Sequence, residues 1–494
     1  MVTNLVSIIT FIFYLCIMLG VGMYFYKRTN NLSDFLLGGR RLNSWVASMS
    51  ASASDMSGWL LMGLPGSAYA LGLGASWIAI GLGIGTYLNW RFVAKRFRKY
   101  SEIAGNSLTL SDYFENRFKD ESKVLRMLSA VFILVFFLIY TASGFVAGAK
   151  LFNSVFGIPY LWSLVLGIVV IIGYTFLGGF NAVSWTDLIQ GILMFIAITV
   201  VPIMATVKLG GYSNTINLIK NVNVNLLDLF TYTNGERIKF LSILSLAAWG
   251  LGYFGQPHIL VRFMAIKSSS AVKQSRIIAT TWTFISLAAA ILIGTVGIVF
   301  LKNPLVGAEQ ETVFMVMVNY IFHPVIAAIF LSAILAAVMS TADSQLLVTS
   351  SSFTRDFYSV VLKKDASEKE LLLVSRLAIV VISIVAFIIA LNPENKVLDL
   401  VEYAWGGLGA SFGPIVLISI YWSRMTKKGA IAGMLTGGFT VIIWKQLQGG
   451  IFDVYELLPA FIFASIMIFI VSLVDEEPSQ DIINEFKSVE QSNI

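Results

Sequence analysis

Ala337, Ser340, Thr341 and Ser344 recur at spacings of three and four within one apolar stretch, which places them along a single face of a helix. Two or three hydroxyls can then point at one spot. A hard cation such as sodium wants oxygen ligands, and apolar surroundings supply them only from hydroxyls, amides, carboxylates and unwound backbone. Serine and threonine that bond the carbonyl four residues back, or that tie helices together, would leave the same stripe. The residues alone leave both readings open. A second polar feature is Asp55, in the run Ser-Ala-Ser-Asp-Met-Ser-Gly (52–58). An aspartate in the middle of a membrane helix costs about 2.5–3.5 kcal/mol on insertion scales, so it is expected to face protein or a cavity.

These residues need elements to hold them, and composition says which kind. Of the 494 residues, 57% are hydrophobic and 13% charged, against about 25% charged in an ordinary soluble protein. Mean hydropathy is +0.80. The expected fold is an all-α polytopic membrane protein. Apolar runs and their polar breaks predict thirteen transmembrane helices near 4–26, 42–64, 67–91, 124–152, 160–178, 183–207, 238–261, 275–301, 321–348, 371–391, 397–422, 429–446 and 453–473. With the N-terminus outside, about 26 of the 34 lysines and arginines fall in cytoplasmic loops. Residues 1–474 then form one transmembrane domain, and 475–494 an acidic cytoplasmic tail expected to be disordered. A single cysteine, Cys16, excludes an internal disulfide framework, and with two histidines it leaves a structural zinc site without ligands. The net charge of +6 is spread over loops rather than gathered into a stripe for nucleic acid.

Two of the thirteen spans are weak helices at membrane depth. Span two contains the Asp55 run followed by Gly63, Pro65 and Gly66, and span seven reads Trp-Gly-Leu-Gly-Tyr-Phe-Gly-Gln-Pro (249–257). Glycine costs about 1 kcal/mol and proline about 3 in a helix interior, so paired breaks five spans apart predict discontinuous helices in an inverted repeat. Such breaks put backbone carbonyls and helix ends where ions and charged substrate groups can bind. Asp187 in span six and Asp343 in span nine lie at similar depth near the cytoplasmic side and could face each other. One of them would then be protonated, or a second cation would sit between them; otherwise Asp343 pairs with a loop base.

The chain resembles the sodium/solute symporter family and, within it, the sodium/proline symporters. The matching stretches are Ser-Asp-Met-Ser-Gly-Trp (54–59), Met-Gly-Leu-Pro-Gly (62–66), Tyr-Thr-Phe-Leu-Gly-Gly-Phe (174–180), Ser-Trp-Thr-Asp (184–187), Trp-Gly-Leu-Gly-Tyr-Phe-Gly-Gln-Pro-His (249–258), Ala-Ala-Val-Met-Ser-Thr (336–341) and Ser-Gln-Leu-Leu-Val-Thr-Ser-Ser (344–351). The resemblance implies a LeuT-like five-plus-five inverted repeat in spans two to eleven. It also implies a sodium site built from the carbonyls of Ala53, Met56 and Ala337 with the hydroxyls of Ser340 and Thr341, supported by Asp55. Some relatives bind a second sodium at the positions matching span six and span nine, here Asp187, Ser340, Asp343 and Ser344. Proline symporters more often carry a small neutral residue in place of Asp343, which puts the cation count in question.

An amino-acid carboxylate is best met by the amide dipoles of the helix end near Ser57 and Gly58. Trp249, Tyr253 and Pro257 share one face of span seven at i, i+4 and i+8. The resemblance implies that they line a proline pocket with Tyr140, Ser57 and Gly58. His258 is expected to be a hydrogen-bonding helix residue, His323 an interfacial cap, and Arg40 a basic anchor close to the start of span two. No Walker A loop, metalloprotease motif or nucleophile elbow is present, so the expected protein is not an enzyme. The expected function is sodium-coupled import of L-proline across a bacterial cytoplasmic membrane, with the bilayer as solvent and no nucleic-acid or obligate protein partner. The same fold carrying another small solute is the nearer alternative. A solute sensor is more distant, because a tail of about 20 residues is too short for a signalling domain.

Overall fold

The computed structural model describes residues 5–26 and 32–492, and among them no β-strand forms beyond the isolated bridges Leu42–Ile266 and Thr231–Arg237. Asn4 of the expected first span, Lys27 and Arg28 of the first basic loop, and the last two residues of the tail lie outside the described residues. The main helices are α1 Leu5–Tyr26, α2 Ser44–Asp55, α3 Leu64–Leu71, α4 Ser76–Leu88, α5 Val124–Phe156, α6 Tyr160–Lys208, α7 Phe240–Ala247, α8 Pro257–Ala265 and α9 Val272–Phe300. They continue with α10 Pro324–Ser351, α11 Glu368–Ile389, α12 Val397–Tyr421, α13 Lys427–Trp444, α14 Leu457–Val474 and α15 Gln480–Gln491.

Among the described residues, nine helical stretches are long and apolar enough to cross a bilayer. The shortfall from thirteen has physical causes. The second expected span is interrupted after Asp55, leaving α2 at 12 residues, and the seventh is divided between α7, a 3₁₀ segment and α8. The fifth and sixth are merged in α6, whose 49 residues would run roughly 74 Å if straight. Gly179 interrupts them at φ 69, a backbone conformation open to glycine, with the Phe35 ring packed against its α-carbon side.

Local chemistry explains several starts. Asn43 caps α2 by accepting from the Val46 N–H at 2.9 Å, and Thr426 caps α13 by accepting from Gly429 at 3.2 Å. Pro257 opens α8 where its missing N–H has no intrahelical partner to lose. His323 does precede α10, but its side chain makes no cap hydrogen bond.

The centre is α10, in which every residue from Phe330 to Ser351 is buried, packed against α1, α2, α5 and α6. The 3₁₀ segment Ala248–Gly255 packs against α4 and α12. At the crossing with α4, Gly81, Gly85 and Gly250 bring two backbones into direct contact, and a β-carbon on any of them would strike the opposing carbonyl. The tail corrects the expectation of disorder. α15 buries Phe486 and Val489, sets the Phe486 ring 6.3 Å from Tyr100, and pairs Glu485 with Lys119 at 3.1 Å. Ile483, Phe486 and Val489 form an apolar stripe that an acidic average composition hid.

Candidate functional site

The first break begins where α2 loses its helical path. Met56 sits at ψ 74, and the chain resumes as a helix at Gly58. The carbonyls that α2 leaves behind are met from other helices. Ser340 donates to the Ala53 carbonyl at 2.8 Å and lies 3.2 Å from the Ala337 carbonyl; Thr341 reaches the Ala53 carbonyl at 3.4 Å. Ala53, Ala337, Ser340 and Thr341 thus bring two carbonyl and two hydroxyl oxygens together, with all four residues no more than 3% exposed. Met56 lies at the break beside them and is fully buried. The set is neutral and made of hard oxygens. Rotating the two hydroxyls would turn lone pairs toward a small cation in place of protons toward a carbonyl.

Two residues on, the Asp55 carbonyl accepts from the Tyr140 hydroxyl and from Trp59 Nε1, both at 3.1 Å. The Asp55 carboxylate accepts from the Tyr253 hydroxyl at 2.6 Å, while its Oδ1 has no partner. Tyr253 belongs to the second break, so this one hydrogen bond ties the two interrupted helices together. It is a short charge-assisted contact if Asp55 is ionised. Asp55 therefore organises the break rather than standing among the hydroxyls of α10.

The aromatic group is assembled in part as expected. Tyr140 and Tyr253 meet at Asp55. Trp249 packs its ring 5.3 Å from Tyr455 and its carbonyl accepts from Trp405 Nε1 at 2.8 Å; Trp405 in turn lies edge-on to Tyr253 at 5.0 Å. Pro257 is buried at the start of α8. Ser57 lies in the break, its hydroxyl 3.4 Å from the Trp59 N–H. Gly58 also serves packing: a β-carbon there would lie 2.7 Å from that of Ala147 and 3.5 Å from a Val338 methyl. His258 differs from expectation, since both ring nitrogens lack hydrogen-bond partners and the ring sits edge-on to Phe137 and Tyr140.

Asp187 and Asp343 do occupy one region, with a cation between helices that sequence reading had assigned elsewhere. Arg262, counted as a loop base, is fully buried in α8. Its Nη2 donates to Asp187 Oδ2 at 3.3 Å and to Ser344 Oγ at 2.5 Å, and its Nε donates to Ser50 Oγ at 3.0 Å. Ser50 in turn donates to Asp187 at 2.6 Å, and Ser344 approaches Asp343 at 3.5 Å. Asp187 Oδ1 and Asp343 Oδ2 remain without partners. Ser340, expected in this group, turns its hydroxyl to Ala53 instead. Among the described residues no cluster of three or more histidine, cysteine or acidic side chains could hold a metal, so neither region is a carboxylate-rich cage.

Sequence reasoning missed Arg262, Ser50, Trp59 and Trp405. Ser50 carried a faint signal, as one of four alternating serines at 48, 50, 52 and 54. Trp59 stood within a quoted motif. Just before the N-terminal end of α2, Arg40 donates to the Met264 carbonyl at 2.8 Å and to the Ser107 carbonyl at 2.6 Å. Burial, and then the neighbouring Arg98, lowers its pKa to about 10.

This arrangement has close relatives. The chain is 50% identical over 498 residues to the sodium/proline symporter of Haemophilus influenzae, covering 98% of each chain. It is 49% identical to the sodium/proline symporter of Salmonella typhimurium, covering 96% of this chain and 94% of that one. It is 47% identical to the high-affinity proline transporter PutP of Bacillus subtilis, covering 96% of this chain and 99% of that one. Among solved structures, a Na+-coupled sialic acid symporter in a substrate-bound outward-open state superposes with a TM-score of 0.81 at 23% identity, over 97% of this chain and 100% of that one. MhsT in complex with L-phenylalanine superposes at 0.52 and 16% identity, over 87% and 97%. Both likenesses concern the fold, which is all-helical with LeuT-like neighbours. The profile of the Sodium:solute symporter family matches residues 35–437, from just before the first break through α12 and into α13, and the chain belongs to that family.

Proposed function

We propose that this chain imports L-proline together with sodium across a bacterial cytoplasmic membrane by alternating access. The observation that carries the reading is the contact of Ser340 and Thr341 with the freed carbonyl of Ala53, in a chain about half identical to proteins named sodium/proline symporters. Residues 1–474 act as one transporter unit of thirteen spans with the N-terminus outside, and spans two to eleven form two inverted five-helix repeats. Broken helices α2–α3 and α7–α8 occupy matching places in those repeats.

Sodium is held by the carbonyls of Ala53, Met56 and Ala337 and by Ser340 Oγ and Thr341 Oγ1. Because Ala53 lies in the last turn of α2 and the hydroxyls belong to α10, the ion draws the two helices together. The proline carboxylate lies at the amide end of the outer half-helix near Ser57 and Gly58, and its ring among Tyr140, Trp249, Tyr253 and Pro257. Asp55, held by Tyr253, carries the effect of sodium at the first break to the second. A ligand shifts a conformational equilibrium only by its differential affinity, so sodium must bind the outward-open state better than the inward-open one. The acid–arginine cluster holds α2, α6, α8 and α10 in register. With both acids ionised it would carry one unmet negative charge, and Asp187, Asp343 and Ser344 then have a place for one further proton or cation.

The test is uptake of labelled L-proline into proteoliposomes holding the purified protein, with an inward sodium gradient against an equal potassium gradient. Accumulation above the outside concentration only with sodium is expected. Folded protein that takes up no proline under either gradient sends the substrate to a wider panel.

A further inference from the structure

On the outer wall of the molecule, α2, α6 and α9 enclose a crevice of about 380 Å³, lined by residues that include Trp45, Met49, Ile192, Phe195, Ile277 and Trp282. It opens sideways: Trp45 is 57% exposed, Ile277 56% and Ile192 49%. The polar groups at its floor are spent internally. Trp282 Nε1 donates to the Gly191 carbonyl at 3.2 Å, and the Met49 methyl lies so close over Gly191 that a β-carbon there would fall 2.8 Å from it. The surface left open is apolar.

One end of the crevice is basic. α2 and α9 begin side by side, since Ser44 Oγ donates to the Ala271 carbonyl at 3.2 Å and Ser275 Oγ to the Ser44 carbonyl at 3.3 Å. Just before them, Leu42 N–H donates to the Ala265 carbonyl at 3.1 Å and Lys267 N–H to the Leu42 carbonyl at 3.0 Å. These contacts bring Arg41, Lys267 and Lys273 to one rim, whereas Arg276 turns to the other side of α9, its guanidinium 6.0 Å from the Tyr87 ring of α4. Lys273, Ile277 and Thr281 follow at i, i+4 and i+8 on α9, so a single stripe leads from charge into the crevice. Of the acids nearby, Glu102 is already paired with Arg98 at 3.1 Å and Lys99 at 3.9 Å, and Asp34 lies with Arg41 beside Gly39. Among the described residues, no ion pair within 4 Å holds Lys267 or Lys273.

A soluble anion would use the rim and leave the crevice bare; a neutral hydrophobe would do the reverse. An amphiphile with an anionic head satisfies both. We propose that this site binds one anionic phospholipid of the cytoplasmic leaflet, with its phosphate at Lys273 and one acyl chain lying along Trp45 and Met49 of α2. Arg41 and Lys267 add to the attraction. The bound chain lies one turn from Ala53, the residue whose carbonyl meets Ser340. The leaflet rests on the orientation proposed above, whereas lipid retention does not depend on transport, so failure of the two readings is separable.

The experiment is native mass spectrometry of the full-length protein from detergent after incubation with equal amounts of phosphatidylglycerol and phosphatidylcholine. One phosphatidylglycerol per chain is expected to be retained in preference to phosphatidylcholine. A charge near the surface strengthens such binding enough that the double variant Lys267→Gln/Lys273→Gln should lose roughly thirty-fold in that preference. Ile192→Trp fills the crevice, keeps the charges, and should lower retention of both lipids. Lys364→Gln/Lys369→Gln, exposed basic residues between α10 and the start of α11, should change nothing. Thermal melting checks that each variant is folded, and Lys273→Gln alone replaces the double variant if that one is not. Equal retention of the two lipids by the wild type overturns the proposal in favour of a neutral occupant. An undiminished preference in the Lys273 variants, or an equal loss in the Lys364/Lys369 variant, overturns it in favour of diffuse charge attraction.

Discussion

Two polar regions face each other along the same stretch of α10, and they are built on opposite principles. Ser340 and Thr341 meet the Ala53 carbonyl in a group of neutral oxygens, with no charge of its own. One turn further on, Asp343 and Ser344 join Asp187, Ser50 and Arg262 in a fully buried charged group. The first gains a net interaction only when a cation arrives, so its strength can change through a cycle. The second brings its own cation, and removing either sign leaves a charge stranded in protein. Under the function proposed above, reversible binding falls to the neutral group and mechanical register to the charged one.

The largest expected effect comes from breaking the charged group. Arg262→Ala leaves two buried carboxylates unpaired and should cost about 3–5 kcal/mol, read as a large drop in thermal midpoint in detergent or as loss of folded protein. Arg262→Gln combined with Asp187→Asn should recover much of that loss; no recovery would mean that Arg262 matters for something other than charge balance.

Tyr253→Phe removes the hydroxyl that reaches across to the Asp55 carboxylate. A hydrogen bond to a charged group contributes about 1.5–3 kcal/mol, so sodium and proline dependence should weaken together while the fold persists. If only proline affinity moves, Tyr253 acts on substrate alone and does not couple the breaks.

Ser340→Ala with Thr341→Ala should raise the sodium needed for half-maximal uptake by roughly tenfold, about 1.4 kcal/mol, with little change in melting temperature. Unaltered sodium dependence would erase the contrast between the two groups. The smallest effect is expected from Asp343→Ser, which matches one carboxylate to one guanidinium. Stability should hold, while the number of sodium ions per proline or the pH profile of uptake shifts. If neither changes, Asp343 has no part in transport.

Much of this was legible in the sequence, for reasons that can be named. Both helix breaks announced themselves because glycine and proline act locally, whatever surrounds them: the backbone departs from helix at Met56 and around Gln256, inside the segments singled out. The hydroxyl stripe of α10 was legible because a period of three and four is a property of one helix. Arg262 was not, because a search for apolar runs treats a charge as the end of a span; only the contact with Asp187 makes it an interior residue. The tail helix escaped for the converse reason, since its apolar stripe is interspersed with acids, of which Glu485 pairs with Lys119 across the contact.

The sequence by itself determined the helical class, the places where helices break, and which side chains share a face. These follow from apolar run length and backbone preference, which act over a few residues. Tertiary structure alone decided the partners: Asp55 with Tyr253 across 198 positions, Ser340 with Ala53 across 287, and Ser50 with Asp187 across 137. Buried polar groups must find hydrogen bonds wherever packing brings them, and packing is settled by how whole helices fit against one another, not by the order of residues along any one of them.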